Sequence, residues 1–240
     1  MPKLIFEKSQ DGASKLSSTI NYWRLNESST GPFRRYLTPG TGDFTSTDPA
    51  SNDIKLNGNT TAYFDGAGNG YLGAGDTLDV GTNNYSFSVW VCPKSFTGKR
   101  PLFKKMNVIE SLYSDVVGYS FWLEGTVWFA NIQYGTIVGQ YSNASWDHNL
   151  SINEWAHIAF TVDRDNGVVR YYKNGVLSNS AALTVATNGI NLNNSAPACL
   201  GVGIIIDAVY WYYGNMSDVF FDTARIWAAG EVWQLYKNVG

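Results

Sequence analysis

The chain has 240 residues, a formal net charge of −3, and 15% each of charged and aromatic residues. A chain of this length can bury roughly 70–75% of its unfolded surface, so it can hold a core without disulfide or metal staples. The charge balance excludes a general nucleic-acid binder, which needs a basic field. The apolar stretch Val202 to Ile206 ends at Asp207 and is far too short to insert into a membrane.

Few charges, many aromatics and 24 glycines describe short strands joined by tight turns. Residues 1–18 are mixed and polar, with Gly12 and a Ser cluster, and read as an N-terminal arm. Leu4, Ile5 and Phe6 are followed at once by Glu7, which is no secretion signal, so synthesis in the cytoplasm is expected. Residues 19–25 look like a first strand, and 26–58, rich in Ser, Thr, Gly and Pro, read as a long ordered loop. From 85 to 92 the alternation is regular, with Tyr85, Phe87, Val89 and Val91 opposite Ser86, Ser88 and Trp90, the mark of a half-buried strand. The basic cluster Lys94, Lys99, Arg100, Lys104 and Lys105 is read as a solvated turn that keeps an edge from aggregating.

Residues 119–124 and 126–133 form an expected hairpin through Glu124-Gly125, and 155–163 put Ile158, Phe160 and Val162 on one face. The strongest local signal is Asn174-Gly175 between Val168–Lys173 and Val176–Asn179, the pair a type I′ turn requires. Residues 199–206 and 213–221 supply the last strands, and 228–237 alone look helical. With no long helix there are no parallel crossovers, so the prediction is an all-β, antiparallel two-sheet sandwich (a jelly roll) with one short C-terminal helix, occupying 19–240 as one domain. Cys92 and Cys199 both sit in apolar runs and are expected to be free, buried thiols.

Five fragments in order carry a resemblance to a known family. Tyr63-Phe64-Asp65-Gly66 followed by Gly70-Tyr71-Leu72 resembles an "F-D-G … Y-V" opening, and Tyr85 to Val91 resembles "F-T-V-S-A-W-V". Trp155-Ala156-His157-Ile158-Ala159-Phe160-Thr161-Val162-Asp163 matches "W-x-H-V-A-x-T-x-D", and Tyr172-Lys173-Asn174-Gly175 is similar to "Y-V-N-G". Gly214 to Val219, then Glu231 to Tyr236, resembles "G-x-I-D-E-V … E-I-x-x-L-Y". These are the marks of the laminin-G-like, concanavalin A-like lectin and glucanase jelly rolls. In that family most motif residues are structural, so His157 is expected to pack rather than react.

The resemblance implies a calcium ion (Ca2+) at the sandwich rim, with Asp65 and Asp218 as ligands; Ser217 stands where the family has an acidic residue, which weakens that expectation. A catalytic centre is not expected. None of the six glutamates (Glu7, Glu27, Glu110, Glu124, Glu154, Glu231) begins the glucanase pattern E-x-D-x-x-E, and His148 and His157 are the two histidines. For glycan binding, Trp146, Tyr210 and Trp211 are the candidates, from two aromatic runs read as lying between strands; Tyr213 is taken as the core member of the second run. The expected function is non-enzymatic display or adhesion on a phage or virus particle, with residues 1–18 gripping neighbouring structural subunits. The rivals are a soluble carbohydrate-binding lectin and a glycan-active enzyme.

Overall fold

The structure is a computed structural model. It describes residues 6–8, 14–16, 20–25, 44–46, 56, 61–67, 71–106, 116–135, 141–205 and 208–239. In chain order the strands are β1 (Phe6–Lys8), β2 (Ser14–Leu16), β3 (Ile20–Trp23), β4 (Thr45–Ser46), β5 (Ala62–Asp65) and β6 (Leu72–Gly73). Then come β7 (Tyr85–Pro93), β8 (Lys99–Met106), β9 (Val116–Glu124), β10 (Val127–Gly135), β11 (Tyr141–Asp147) and β12 (Ala156–Asp163). The last are β13 (Val168–Lys173), β14 (Val176–Ala182), β15 (Ala198–Leu200), β16 (Val202–Ile205), β17 (Ala208–Trp211) and β18 (Tyr213–Asp222), before helix α1 (Ala229–Val239).

Two sheets make the sandwich. The front sheet runs β11-β10-β9-β8-β15-β6-β4, and the back sheet runs β14-β13-β12-β7-β18-β3 with β5 also on β18. Every ladder among the described residues is antiparallel, as expected from the lack of crossover helices. Between the sheets lies an aromatic core in which Phe87, Phe103, Phe121, Phe160 and Phe221 stack at centroid distances of 4.7–6.5 Å.

The outer face of the back sheet is covered. Helix α1 sets Val232 and Leu235 on Tyr22, Ala159, Tyr172 and Phe220, with Trp227 beside them. For this reason β7 is buried on both faces rather than one, and Ser86 accepts the Trp227 N–H and donates to the Arg225 carbonyl. The helix start is fixed by Glu231, which accepts the Ala228 N–H at 2.8 Å and pairs with Arg225 at 2.7 Å. The Asn174-Gly175 turn forms as expected, with φ of 51° and 78°. A Cβ on Gly175 would stand 2.8 Å from the Trp233 ring, so the turn also sets how closely α1 can pack.

Three expectations are corrected here. The basic run at 94–105 is no solvated turn: β8 lies inside the front sheet, paired to β9 and β15. Lys105 is fully buried, donating to Asp76 at 2.6 Å and to the carbonyls of Asn194 and Ala196 at 2.7 Å. Its charge is tolerated in the strand because every donor has an oxygen to meet. The expected strand at 199–206 is broken at Gly201 (φ 78°), so β15 stays in the front sheet while β16 leaves it to pair with β17. The stretch 26–58, expected to be all loop, contributes β4, which pairs with β6 at the sheet edge, and the buried Phe44, 4.8 Å from Trp23. The other positions of that stretch, apart from Leu56, lie outside the described residues.

Within residues 1–18, β1 and β2 pair with each other and with neither large sheet; the other positions of the expected arm lie outside the described residues. Both cysteines are free and buried, Cys92 in the back sheet and Cys199 in the front. The described helix is not long and apolar enough to cross a membrane.

A candidate aromatic binding face

Side chains alternate across a strand, so the register of the β9–β10 hairpin assigns each residue to a face. Tyr119, Phe121 and Leu123 of β9, with Trp128, Ala130 and Ile132 of β10, point into the core. Trp122 and Phe129, directly opposite each other in the ladder, therefore point outward. They stack at 5.2 Å with rings only 12° from parallel, and both are half-buried. On the strand beyond, Pro101 stands beside Trp122 and Lys99 beside Glu124.

The β16–β17 hairpin leans on this face. A Cβ on Gly203 would be 2.8 Å from Pro101 Cγ, so only glycine lets the hairpin come this close. Tyr210, opposite Gly203, is brought to Lys99, whose Nζ lies 5.6 Å from both the Tyr210 and the Trp122 ring centroids. Trp211 stands 6.1 Å from Tyr71, and its carbonyl accepts a 2.9 Å hydrogen bond from Arg100. The result is a band from Phe129 through Trp122 and Lys99 to Tyr210. Beside it on the same face run Asn143, Asn131, Ser120 and Lys104, one from each neighbouring strand.

The three residues expected to meet a glycan are thus divided. Tyr210 and Trp211 lie on β17, a strand rather than a loop, and Tyr210 is in the band. Trp146 also lies on a strand, β11, and in register with the inward-facing Trp128. It is 57% exposed because it stands at the rim, beyond the cover of the back sheet. There Asn179 takes a hydrogen bond from the Trp128 indole at 3.1 Å and gives one to the Asp147 carbonyl at 3.1 Å. Trp146 is therefore on the opposite side of its strand from the band. The core member of the second run is Tyr212, fully buried against Phe64 at 5.7 Å, and not Tyr213.

Trp122 and Phe129 were missed from sequence, though a signal was present. Once Glu124-Gly125 is taken as the turn and Phe121, Leu123 and Trp128 as core, parity puts two large aromatics on the outer face, where a one-sided sheet carries polar residues.

Asp65 and Asp218, the pair implied for calcium, do not form one site. Asp65 faces Tyr213 in the ladder, and Asp218 lies five residues further along β18, about 16 Å away at strand spacing. The Asp65 carboxylate caps its own turn, accepting the Ala67 N–H at 2.8 Å. The buried Asp218 accepts the Tyr22 hydroxyl at 2.5 Å and the Ser217 hydroxyl at 2.6 Å. Burial first, and then this carboxylate, push the Tyr22 phenol up. Among the described residues no three His, Cys, Asp or Glu side chains gather as a metal cluster.

Both histidines are held in structural places. His148 accepts the Leu150 N–H on Nδ1 at 2.9 Å, which leaves Nε2–H to donate to the Gly125 carbonyl at 3.0 Å. His157 is sealed under α1 between Trp90 and Tyr236, with neither ring nitrogen hydrogen-bonded. Burial holds it neutral, with its pKa pushed down to about 3.

Two antiparallel sheets packed as a sandwich place the fold in the jelly-roll class. Residues 64–228 match the family described as the concanavalin A-like lectin/glucanases superfamily, and the chain belongs to it. No curated protein sequence matches. Among solved structures, the binding domain of botulinum neurotoxin serotype G is similar over 91% of this chain and 50% of its own length, at 18% identity and a TM-score of 0.63. A botulinum type C neurotoxin structure, from work tying its uptake into cells to two ganglioside molecules, is similar over 92% and 51%, at 10% identity and 0.61. A Trypanosoma rangeli sialidase is similar over 98% and 36%, at 12% identity and 0.62. The chain spans about half or less of the lengths of these proteins, and at such identities the likeness is one of fold.

Proposed function

We propose that this chain is a non-catalytic glycan-binding module. The observation that carries the reading is the outward-facing pair Trp122 and Phe129, continued by Lys99 and Tyr210. The uncovered parts of these half-buried rings offer the C–H surfaces of a sugar an apolar contact, and the flanking Ser120, Asn143 and Glu124 can meet its hydroxyls. In an ordinary one-sided sheet these outer positions would be polar. The ganglioside dependence of the type C neurotoxin agrees with the reading, as does the lectin-like family.

The test is binding to a glycan array by the wild type and by Trp122→Ala. Loss of one stacking face at the centre of the band is expected to weaken any detected glycan at least about tenfold, as truncation of a central aromatic anchor does. The far-ultraviolet circular dichroism should not change, since the ring sits outside the core. Equal binding by both proteins would refute the aromatic band as the site. Trp146→Ala, at the rim, separates that position from the band.

A narrower form of the proposal places the module on the outside of a phage or virus particle, held by residues 1–18. The β1–β2 pairing apart from both large sheets supports the arm in this proposal. Deleting residues 1–18 should then leave glycan binding intact and abolish co-sedimentation with assembled particles; retained co-sedimentation would remove the arm from the proposal.

A further inference from the structure

The polar row beside the aromatic band holds a lysine with no counter-charge among the described residues. Lys104 is 7% exposed, faces outward on β8 opposite Ser120, and has Cys199 as its partner on the other side. Among the described residues its ammonium makes no hydrogen bond and no ion pair, and burial pushes the amine below the ordinary lysine value. The contrast with the next residue is instructive. Lys105, on the inner face, has a carboxylate and two carbonyls around its nitrogen. Lys104 instead buries its stem and brings its ammonium to the surface beside the band, with no anion next to it among the described residues.

A second group in the row is also incomplete. Asn131, 5% exposed, donates to Asn143 Oδ1 at 2.5 Å but leaves its own Oδ1 without a partner. It stands across from Ser120, which in turn stands across from Lys104. The row thus offers an unmatched cation, a hydroxyl and an unmatched acceptor in sequence across three adjacent strands. Burying an amide oxygen without a partner is unfavourable, and such a group in a native protein awaits a ligand, an ion or a water. Trp122 lies two residues along β9 from Ser120, about 7 Å away on the same face. A saccharide stacked on Trp122 and Phe129 reaches this row with its next ring.

We infer that Lys104 is the anion-recognition residue of the glycan site, with Asn131 and Ser120 taking hydroxyls of the same sugar unit, and that the module selects acidic saccharides over neutral ones. This rests on the glycan-binding reading. The ligand chemistry is a carboxylate or sulfate carried on a sugar whose neighbouring ring presents an apolar face to the aromatic pair.

The experiment uses the full chain against matched probes: sialyllactose and lactose, oligogalacturonate and its methyl ester, chondroitin sulfate and its desulfated form. The wild type should bind the acidic member of at least one pair roughly ten- to hundredfold more tightly, as expected for a hydrogen bond to a charged group. Raised salt should narrow that gap. Lys104→Met should erase the preference while keeping the neutral affinity, and Lys104→Arg should retain part of it. Thermal melting of each variant shows that it is folded; removal of an unpaired charge should leave Lys104→Met at least as stable as the wild type.

Two results overturn the inference alone: a wild type that binds both members equally with Trp122-dependent affinity, or a folded Lys104→Met that keeps its acidic preference. Absence of binding to every probe by a wild type that is also indifferent to Trp122→Ala would overturn the glycan reading with it.

Discussion

Arg164→Met is expected to lower the unfolding free energy by about 3–5 kcal/mol, the largest single-residue effect foreseen in this chain. Arg164 is 1% exposed and lies just past the end of β12. Among the described residues its guanidinium has no carboxylate partner within ion-pair distance. One arm donates to the carbonyls of Gly81 at 3.0 Å and Asn83 at 3.1 Å; the other donates to Thr187 at 2.6 Å and to Ile190. Its own N–H is taken by Asn84 Oδ1 at 2.7 Å. One planar fork therefore ties the turn before β7 to the loop after β14; its removal takes the guanidinium from all four carbonyls, with Gly81 still meeting the Leu192 N–H and Thr187 the Ile190 N–H.

Lysine does not replace it, because an ammonium has three N–H bonds at one nitrogen, against four carbonyls spread around the two nitrogens of the fork. For a chain of this size the loss corresponds to a fall in Tm of roughly 10 °C by calorimetry. Arg170→Met is the control. Arg170 is partly exposed, with a 3.4 Å contact to Asp163, and should cost under about 1 kcal/mol. Equal losses in the two variants would contradict this account of Arg164.

Acid should destabilise the fold, with His157 as the main cause. The unfolded histidine takes up a proton near pH 6.5, whereas the folded one refuses it until about pH 3. Above pH 6.5 both states are neutral and the residue has no pH effect. As pH falls below that value the unfolded state gains a proton that the folded state cannot bind, so stability drops by up to about 1.4 kcal/mol per pH unit. By pH 4 the loss is about 3 kcal/mol, and below about pH 3 it levels off. His148, also pushed down by burial, contributes in the same direction.

Denaturant unfolding at pH 7, 5.5 and 4 measures this. In His157→Leu, which has nothing to protonate, the slope over that window should be smaller by nearly one proton. An unchanged slope would mean that His157 is protonated in the folded state. The geometry gives the reason to expect otherwise: the ring is closed in by Trp90 and Tyr236, with no oxygen placed to take either N–H.

What the sequence determined by itself was whatever depends on local chemistry. Alternation at 85–92, the Asn174-Gly175 turn, the hairpin expected through Glu124-Gly125 (its turn falls one residue later, at Gly125-Thr126) and the C-terminal helix are written in periods of two, in glycine-permitted backbone angles and in one short amphipathic segment. Each can be read without knowing what lies across the core. The family followed from such fragments in order, and the family match bears it out.

Tertiary structure decided whatever depends on which strand lies beside which. The run Lys99–Met106 looks like a solvated turn until β9 and β15 flank it and Asp76 meets Lys105 from 29 residues away. Asp65 and Asp218 look like a ligand pair until the ladder sets them far apart along β18. Trp146 looks like a partner of Tyr210 until register puts it on the inner side of its strand. The binding face belongs to this second kind. Trp122 and Phe129 acquire a role only when the hairpin register turns both outward and the β16–β17 hairpin brings Tyr210 and Lys99 alongside. A local pattern states which side of a strand a residue is on; only the assembled sheets decide whether that side meets core, helix or ligand.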